Sequence, residues 1–320
     1  TGRRTAIQRK TIKIPQGDES RRKRRNRECM VAERGRILKV YNNVLHVAAE
    51  DGVLFCKLRG RVKKGRSDMG LVPGDIVTFE RISEGEGVIE RIEARTNLLQ
   101  RPRVANLTQI VITVAAASPD PHPLVVSRFL VLAELSGVKK IVLCVNKMDL
   151  CTGDPASYLA EYEAAGYSVL RVSAAGGTGL DDLRAHLAGE ISVLAGPSGA
   201  GKSSLLNALD PTLALATGVV SEKIGRGRHT TRRAELLPFM GGYVVDTPGF
   251  TQQELTELGP EDLTHCFPDF AHYTGCRFSP CSHSHEPDCA VKAAVEAEAL
   301  SRERYDSYIA LLNELRTKKK

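Results

Sequence analysis

The sequence predicts a multidomain protein in which a small β-barrel, an α/β layer and a C-terminal α-helical, metal-binding segment follow one another along the chain. Three observations indicate this fold class. Residues 34–95 hold about five short apolar runs separated by turn residues, which is typical of a small barrel. Apolar strands then alternate with helical segments as far as Gly249, a pattern that predicts a mostly parallel sheet. Beyond that point, cysteines and histidines cluster within residues 276–289.

The positive charge of the chain is concentrated at its N-terminus. The whole chain carries a net charge of +7, but residues 1–27 contain eleven Lys or Arg and two acidic residues, so the remainder is slightly acidic. Residues 21–27 offer no apolar positions that could pack, and we therefore expect residues 1–33 to form a basic, disordered arm. Such an arm suits the phosphate backbone of a nucleic acid, where affinity comes from counterion release. A solvated tail is the plainer alternative.

The apolar runs of residues 34–95 predict an OB-fold barrel. Turn residues separate the first three runs, at residues 42–43 and 50–52. Residues 59–66 form a basic loop on this barrel. Because loops and faces of OB-folds often bind RNA, this loop predicts an RNA contact, with a solvated hairpin tip as the alternative. Residues 97–106 are expected to link the barrel to the next unit.

A phosphate-binding loop stands at the centre of the predicted α/β layer. Its spacing is G-x-x-x-x-G-K-S, between the apolar run 191–195 and a helical segment. Glycines let backbone N–H groups turn inward around a phosphate chain, and the helix directs its positive dipole end at the same anion. We expect Lys202 to reach the β- and γ-phosphates and the Ser203 hydroxyl to bind Mg²⁺. A glycine-rich turn without a ligand is the plainer alternative. The loop comprises Gly196, Pro197, Ser198, Gly199, Ala200, Gly201, Lys202, Ser203 and Ser204.

Two further motifs indicate that the base of the nucleotide is guanine. Asn146-Lys147-x-Asp149 follows an apolar strand and resembles the guanine-reading motif of GTPases. The Asp149 carboxylate can accept two hydrogen bonds from guanine, a donor pair that adenine lacks, so an ATPase is the weaker reading. Asn146 is expected to brace the loop and contact the base, and the Lys147 stem to cover the base. Ser173-Ala174 follows another strand and resembles the loop whose backbone N–H meets guanine O6.

Two segments are candidates for the switches that respond to the γ-phosphate. Asp246-x-x-Gly249 follows an apolar strand and resembles the segment that supports Mg²⁺ through water. Thr230 and Thr231 lie upstream of it and are candidates for the switch threonine. The predicted magnesium set is therefore Ser203, Thr231 and Asp246, and we also expect both threonines, Asp246 and Gly249 to contact GTP.

The order of these motifs along the chain is unusual. The guanine motif and Ser-Ala come before the phosphate loop, and the Thr pair and Asp-x-x-Gly come after it. Ordinary GTPases begin with the phosphate loop and end with Ser-Ala. The order is that of a circular permutation, which is tolerated when the original termini lie close together at the surface. We therefore predict a circularly permuted P-loop GTPase domain over residues 104–252.

A cluster of cysteines and a histidine follows the predicted GTPase domain with the spacing C-x4-C-x-H-x5-C. Three thiolates and one imidazole suit tetrahedral zinc, and four protein ligands leave no open position, so we predict one structural Zn²⁺ per chain. The sequence leaves open His272 or His285 as the imidazole and Cys266 as a thiolate, and loop residues without a metal are the plainer alternative. With the helical residues 290–314, the cluster predicts a zinc-binding domain over residues 253–320. The predicted ligands are Cys276, Cys281, His283 and Cys289.

The barrel, the permuted motif order and the Cys/His segment together resemble the RsgA/YjeQ family of small-ribosomal-subunit-dependent GTPases. The resemblance covers nearly the whole chain from the start of the barrel, and residues 225–231 are among its most specific parts. It implies a GTP hydrolase that binds the small ribosomal subunit and its rRNA and acts in late maturation of that subunit. It also implies that conversion of GTP to GDP and phosphate is stimulated by the ribosome.

The catalytic water of a GTPase needs a group that positions it. Many GTPases place Gln directly after Asp-x-x-Gly, but Phe250 stands there in this chain and suits a hydrophobic anchor better. The family resemblance offers His229 instead, whose imidazole can orient or deprotonate water near neutral pH. The predicted catalytic residues are His229, Lys202 and Thr231. The alternative function is a non-catalytic, GTP-gated rRNA-binding checkpoint module.

Composition bears on compartment and assembly. No apolar run approaches the roughly 18 residues that span a bilayer, so we expect no membrane association. The chain has eight cysteines, mostly scattered, which indicates a reducing compartment rather than a disulfide framework. We expect a monomer in the cytoplasm, or in the chloroplast stroma if a transit segment precedes Thr1.

Overall fold

The structure is a computed structural model that describes residues 32–41, 44–59, 70–151, 156–213, 215, 234–246, 255 and 258–318. The predicted basic arm up to residue 31 and residues 60–66 of the basic loop lie outside these ranges. For Asp246, the structure describes the backbone but not the side chain. The predicted switch residues outside the described ranges are His229, Thr230, Thr231, Gly249 and Phe250, and the roles assigned to them stay predictions.

Five strands form a closed barrel at the start of the described chain. They are β1 (Glu33–Tyr41), β2 (Val44–Ala49), β3 (Gly52–Leu58), β4 (Ile76–Ser83) and β5 (Glu86–Ile92). The order around the barrel is β1-β2-β3-β5-β4, and β4 pairs with β1 to close it. Neighbours are antiparallel except β3 and β5. The predicted OB-fold barrel is confirmed.

Alternate side chains of these strands fill the barrel, because successive residues of a strand point to opposite faces. On β3, Phe55 is exposed, whereas its neighbours Leu54 and Cys56 are buried. Gly35 lies where β1 crosses the barrel closely, since a Cβ there would stand 2.5 Å from Cγ1 of Val47. The buried core of the barrel consists of Ile37, Leu45, Val47, Leu54, Cys56, Val77, Phe79 and Ile89.

A short hairpin joins the barrel to the central sheet, where the sequence suggested only a link. Its strands are β6 (Leu98–Gln100) and β7 (Arg103–Ala105). Asn97 holds the base of the hairpin, because its carboxamide donates to Leu107 O at 2.8 Å and accepts from Leu107 N at 2.9 Å. Asp75, fully buried, pairs with Arg95 at 2.6 Å. Paired polar groups therefore hold the connecting segment, while Leu99 and Val104 of the hairpin are buried in the apolar cluster of the central sheet.

A six-stranded sheet forms the centre of the molecule. Its strands are β8 (Gln109–Ala115), β9 (Lys140–Asn146), β10 (Ser168–Arg171), β11 (Ile191–Ala195), β12 (Glu235–Phe239) and β13 (Gly242–Asp246). The helices that follow its strands are α1 (Pro123–Leu135), α2 (Ala156–Ala164), α3 (Leu180–Leu187) and α4 (Lys202–Leu209). The order across the sheet is β10-β9-β8-β11-β13-β12, parallel throughout except for β12. The carboxyl ends of five strands therefore meet at one edge.

Two helices and the loops before them form the C-terminal part. The helices are α5 (Ala290–Glu296) and α6 (Arg302–Lys318), preceded by 3₁₀ turns at Leu263–Cys266 and Pro268–His272. Residues 290–314, predicted to be helical, thus contribute to two helices. Arg128 of α1 pairs with Glu314 of α6 at 2.5 Å, and Val131 of α1 belongs to the apolar cluster of the C-terminal part. This part therefore packs on a helix of the central domain.

A buried ion pair lies at the same contact. Arg304 of α6 is 1% exposed, and its Nε lies 3.1 Å from a carboxylate oxygen of Asp269. Its Nη1 donates to Oγ of Ser127 on α1 at 3.3 Å, and its guanidinium carbon lies 4.5 Å from the ring centre of Phe267. A buried charge is tolerated only when it is paired and hydrogen-bonded in this way. Within the described ranges, none of the helices has the length and apolar character needed to cross a membrane.

Candidate functional site

The phosphate-binding loop connects β11 to α4 at the carboxyl edge of the sheet. Gly196 has a φ of +133°, and a Cβ there would stand 1.9 Å from the carbonyl oxygen of Thr113. Gly201 has a φ of +88°, and a Cβ there would stand 2.3 Å from Nδ2 of Asn146. Both positions therefore require glycine. The loop leaves a cradle of backbone at the start of α4, as phosphate binding requires.

Lys202, the first residue of α4, turns back over this loop. Its Nζ donates to the carbonyl oxygens of Gly196 at 2.8 Å and Pro197 at 2.9 Å. Burial lowers the pKa of Lys202 to about 8, because the charged amine has lost water. A polyphosphate at the loop would restore a counter-charge and stabilise the protonated form. The amine is thus placed at the loop, where the sequence predicts it.

Asn146 is the side chain that ties the guanine motif to the phosphate loop. It ends β9 and is 1% exposed. Its Nδ2 donates to the carbonyl oxygen of Ala200 at 2.9 Å, and its Oδ1 accepts from the backbone N–H of Ala174 at 3.1 Å. One carboxamide therefore connects three predicted site segments, which lie 28 and 54 residues apart along the chain.

Asp149 and Ser173 face each other at the same edge. The Ser173 hydroxyl donates to Oδ1 of Asp149 at 2.5 Å and accepts from the backbone N–H of Gly176 at 2.7 Å. Lys147 adopts a left-handed backbone, with a φ of +61°, and its Nζ donates to the carbonyl oxygen of Ser118. The structure thus brings the guanine motif and the Ser-Ala loop together beside the phosphate loop.

The remaining predicted site residues divide into two groups. Ser203 and Ser204 are the second and third residues of α4, next to the loop. Asp246 ends β13, which runs parallel to β11, with Val245 opposite Val193. The backbone of Asp246 is thus close to the strand that leads into the phosphate loop. The other switch residues lie outside the described ranges.

Sequence reasoning missed the segment that follows β8. The carbonyl oxygen of Ser118 accepts a hydrogen bond from the Lys147 ammonium. Pro119 lies close to the phosphate loop, since its Cδ would be 3.4 Å from a Cβ built on Gly199. These residues therefore form one side of the candidate nucleotide site. The available signal was the run of prolines after an apolar strand, but only the sheet order places β8 between β9 and β11.

The C-terminal cluster gathers four potential metal ligands. The ligand atoms of Cys276, Cys281, His283 and Cys289 all lie within 4.8 Å of one another. The two sulfurs of Cys276 and Cys289 are 3.9 Å apart, and Nδ1 of His283 is 3.7 Å and 3.3 Å from them. This group could hold a metal ion. His272, His285 and Cys266, which the sequence left open as ligands, are not part of it.

The surroundings of the cluster fix the position of His283. The hydroxyl of Tyr305 on α6 donates to the His283 carbonyl oxygen at 2.8 Å, and the Tyr308 hydroxyl donates to the Ser282 carbonyl oxygen at 2.8 Å. Burial lowers the pKa of His283, which favours the neutral imidazole that metal binding needs. The backbone N–H of Ala290 points at the Cys276 sulfur at 3.4 Å. The donor set and its support therefore fit a metal centre.

Comparison with known proteins identifies the family. A family model described as RsgA GTPase matches residues 92–256, and one described as RsgA N-terminal domain matches residues 34–89. The chain belongs to the RsgA family. Small ribosomal subunit biogenesis GTPase RsgA of Clostridium perfringens is 43% identical over 283 residues, which are 88% of this chain and 97% of the relative. The protein of the same name from Thermotoga maritima is 40% identical over 293 residues, covering 90% and 98%.

Two solved structures of RsgA relatives share the architecture. YjeQ from Thermotoga maritima superposes with a TM-score of 0.77 at 38% sequence identity. The match covers 89% of this chain and 99% of the YjeQ chain. YloQ, described as a circularly permuted GTPase, gives a TM-score of 0.77 at 33% identity and covers 91% and 97%. The predicted family and fold class, a barrel followed by a permuted GTPase domain and a Cys/His segment, are confirmed.

Proposed function

We propose that this protein is a GTPase that acts in biogenesis of the small ribosomal subunit, binds that subunit, and hydrolyses GTP to GDP and phosphate at a rate the subunit stimulates. The observation that carries the nucleotide assignment is the Asn146 carboxamide, which joins the phosphate loop to the guanine motif and the Ser-Ala loop. Membership of the RsgA family, whose relatives are named for small-subunit biogenesis, supports the partner.

Each site residue has a role that follows from its chemistry. The exposed Asp149 carboxylate would accept hydrogen bonds from the N1–H and N2–H₂ edge of guanine. Adenine is disfavoured because the carboxylate, once covered by the base, would lack these donors. Lys202 balances the β- and γ-phosphate charge. Ser203, Thr231 and Asp246 would hold Mg²⁺, which neutralises charge on the phosphate oxygens when bound. His229 would orient the attacking water.

The barrel supplies the surface proposed to contact ribosomal RNA. On its outer face, Phe55 is 50% exposed and Tyr41 is 57% exposed. The ring of His46 meets that of Phe55 edge to face at 4.8 Å. Exposed aromatic rings offer stacking surfaces to unpaired bases, and the basic arm and the basic loop would add phosphate contacts. We further propose that the protein acts as a monomer, away from membranes, in the cytoplasm or the chloroplast stroma.

We propose that the C-terminal cluster holds one structural zinc ion. Tetrahedral zinc with bonds of about 2.3 Å to sulfur and about 2.0 Å to nitrogen places two sulfurs about 3.8 Å apart and a sulfur and a nitrogen about 3.5 Å apart. The 3.9 Å between Cys276 and Cys289 and the 3.3 and 3.7 Å to His283 match these edges. Four protein ligands would close the site, so a structural role is favoured over a catalytic one. We also propose the domain limits: residues 34–95 form the barrel, residues 104–252 the GTPase domain and residues 253–320 the zinc-binding domain.

Metal analysis tests the zinc assignment. Protein purified without chelator should contain about one zinc per chain, and Cys281→Ser should lose most of it while retaining GDP binding. Cys151→Ser, outside the cluster, is the matched control and should keep its zinc. Absence of zinc from the parent, or full zinc in Cys281→Ser, would refute the assignment.

The second candidate function is the non-catalytic, GTP-gated rRNA-binding checkpoint. Phe250, at the position where many GTPases carry Gln, favours it. The two functions differ in turnover, so phosphate release from excess GTP in the presence of purified small subunits separates them. Sustained release supports the GTPase, and release that stops after at most one phosphate per chain supports the checkpoint.

A further inference from the structure

The hairpin of β12 and β13 lies at one edge of the central sheet and carries a predicted site residue at its end. β12 is the edge strand and pairs only with β13 among the strands that the structure describes. In this pair, Glu235 at the start of β12 stands opposite Asp246 at the end of β13. Asp246 is the predicted magnesium residue. The position of β12 therefore bears directly on where the backbone of Asp246 lies.

The barrel contacts this edge strand through β1. Leu38 is 7% exposed and belongs to the same apolar cluster as Ala234 and Leu236. Beside it, Nζ of Lys39 lies 2.5 Å from Oε2 of Glu235, and each of these side chains is about one-third exposed. The apolar contact is the buried one, whereas the ion pair lies at its rim.

A row of side chains extends from Lys39 across the barrel. Lys39 on β1 stands opposite His46 on β2, and His46 stands opposite Phe55 on β3. Residues directly opposite in neighbouring strands share a face and contact each other, and the His46 and Phe55 rings are 4.8 Å apart. Phe55 is half-exposed. The row thus joins the outer face of the barrel to the edge of the nucleotide-binding sheet.

We propose that Lys39 and Glu235 are positioning residues for GTP hydrolysis, which set β12 and with it Asp246 when the barrel engages its ribosomal partner. This inference rests on the proposed function. An ion pair of this exposure adds little to stability, so it is not needed to hold the barrel, since burial of Leu38 does that. The pair instead sets the distance between Lys39 on the barrel and Glu235, the residue that stands opposite Asp246.

Charge reversal and charge exchange test the proposal. Lys39→Glu and Glu235→Lys should each lower the subunit-stimulated kcat by about 3- to 30-fold, the range seen for coupling through such contacts. The subunit concentration that gives half-maximal stimulation should stay within about twofold, because the barrel surface is retained. The exchange variant Lys39→Glu/Glu235→Lys should recover most of the parent rate, since it restores the pair with its ends reversed.

Arg34→Glu is the matched control. It makes the same charge change on the same strand and breaks an ion pair within the barrel, that of Arg34 with Glu93 at 2.8 Å. It should leave both the basal and the stimulated kcat unchanged. Parent-like kcat in both reversal variants, or failure of the exchange to rescue, would refute the positioning role. An effect confined to the half-maximal subunit concentration would make Lys39 a partner contact and also refute it. A parent that subunits do not stimulate would refute the proposed function itself.

Discussion

Replacement of Asn146 by Ala tests how the nucleotide site is assembled. The substitution removes two hydrogen bonds, from Nδ2 to the Ala200 carbonyl at 2.9 Å and from the Ala174 N–H to Oδ1 at 3.1 Å. Leaving a buried polar group without its partner costs about 1–3 kcal/mol. Ala200 is fully buried, whereas Ala174 is partly exposed and can take a water instead. Two such groups would together cost about 2–6 kcal/mol. Because water can reach Ala174, we expect a total cost in the lower half of this range, about 2–4 kcal/mol.

This energy should appear as lost nucleotide affinity, because both backbone groups lie on loops that bind the nucleotide. At about 1.4 kcal/mol per factor of ten, GDP and GTP should bind about 30- to 1,000-fold more weakly. Titration calorimetry with GDP measures this. Asn97→Ala is the control, because Asn97 also bridges two backbone groups, both of Leu107, but away from the site. It should lower the melting temperature and retain affinity. An Asn146→Ala protein that binds GDP within about threefold of the parent would refute the reasoning.

The remaining predictions concern guanine choice, catalysis and stability. Asp149→Asn should weaken GTP binding by about 2–4 kcal/mol and relax base choice toward xanthine nucleotides; unchanged affinities for GTP and XTP would contradict the guanine assignment. Lys202→Ala should lose most nucleotide binding, whereas His229→Ala should keep it and lose about 10²- to 10⁴-fold in stimulated kcat; an undiminished rate in His229→Ala would exclude that residue. Arg304→Ala should lower the free energy of unfolding by about 3–5 kcal/mol, because Asp269 is left buried and unpaired. Arg304→Met/Asp269→Leu should recover most of that loss in urea denaturation; a loss below about 1 kcal/mol in the single variant would contradict the assignment.

Much of the site could be predicted because its motifs are local. Lys202 follows an apolar strand and begins a helix, so strand, loop and helix could be read from consecutive residues. The same holds for Asn146 and Asp149, at the end of β9. Chain order alone also indicated the permutation.

Other features depend on contacts between residues far apart in sequence. β12 contains Pro238, and a proline is tolerated on an edge strand, where an N–H is not needed for pairing. Arg304 lies on a helix rich in charged residues and would be expected at the surface, yet it is buried against Asp269. Neither the sheet edge nor that partner can be seen in a local pattern.

The measurement that tests the central claim most directly is multiple-turnover release of phosphate from GTP with and without purified small ribosomal subunits. The subunit should raise the turnover number of the parent by about 10²- to 10⁴-fold, the contribution of a positioned acid–base group such as the one proposed for His229. The same subunits should give no rise with Lys202→Ala, which excludes a contaminating hydrolase. A parent turnover number that is unchanged by saturating subunits would contradict the proposal that this protein is a GTPase stimulated by the small subunit.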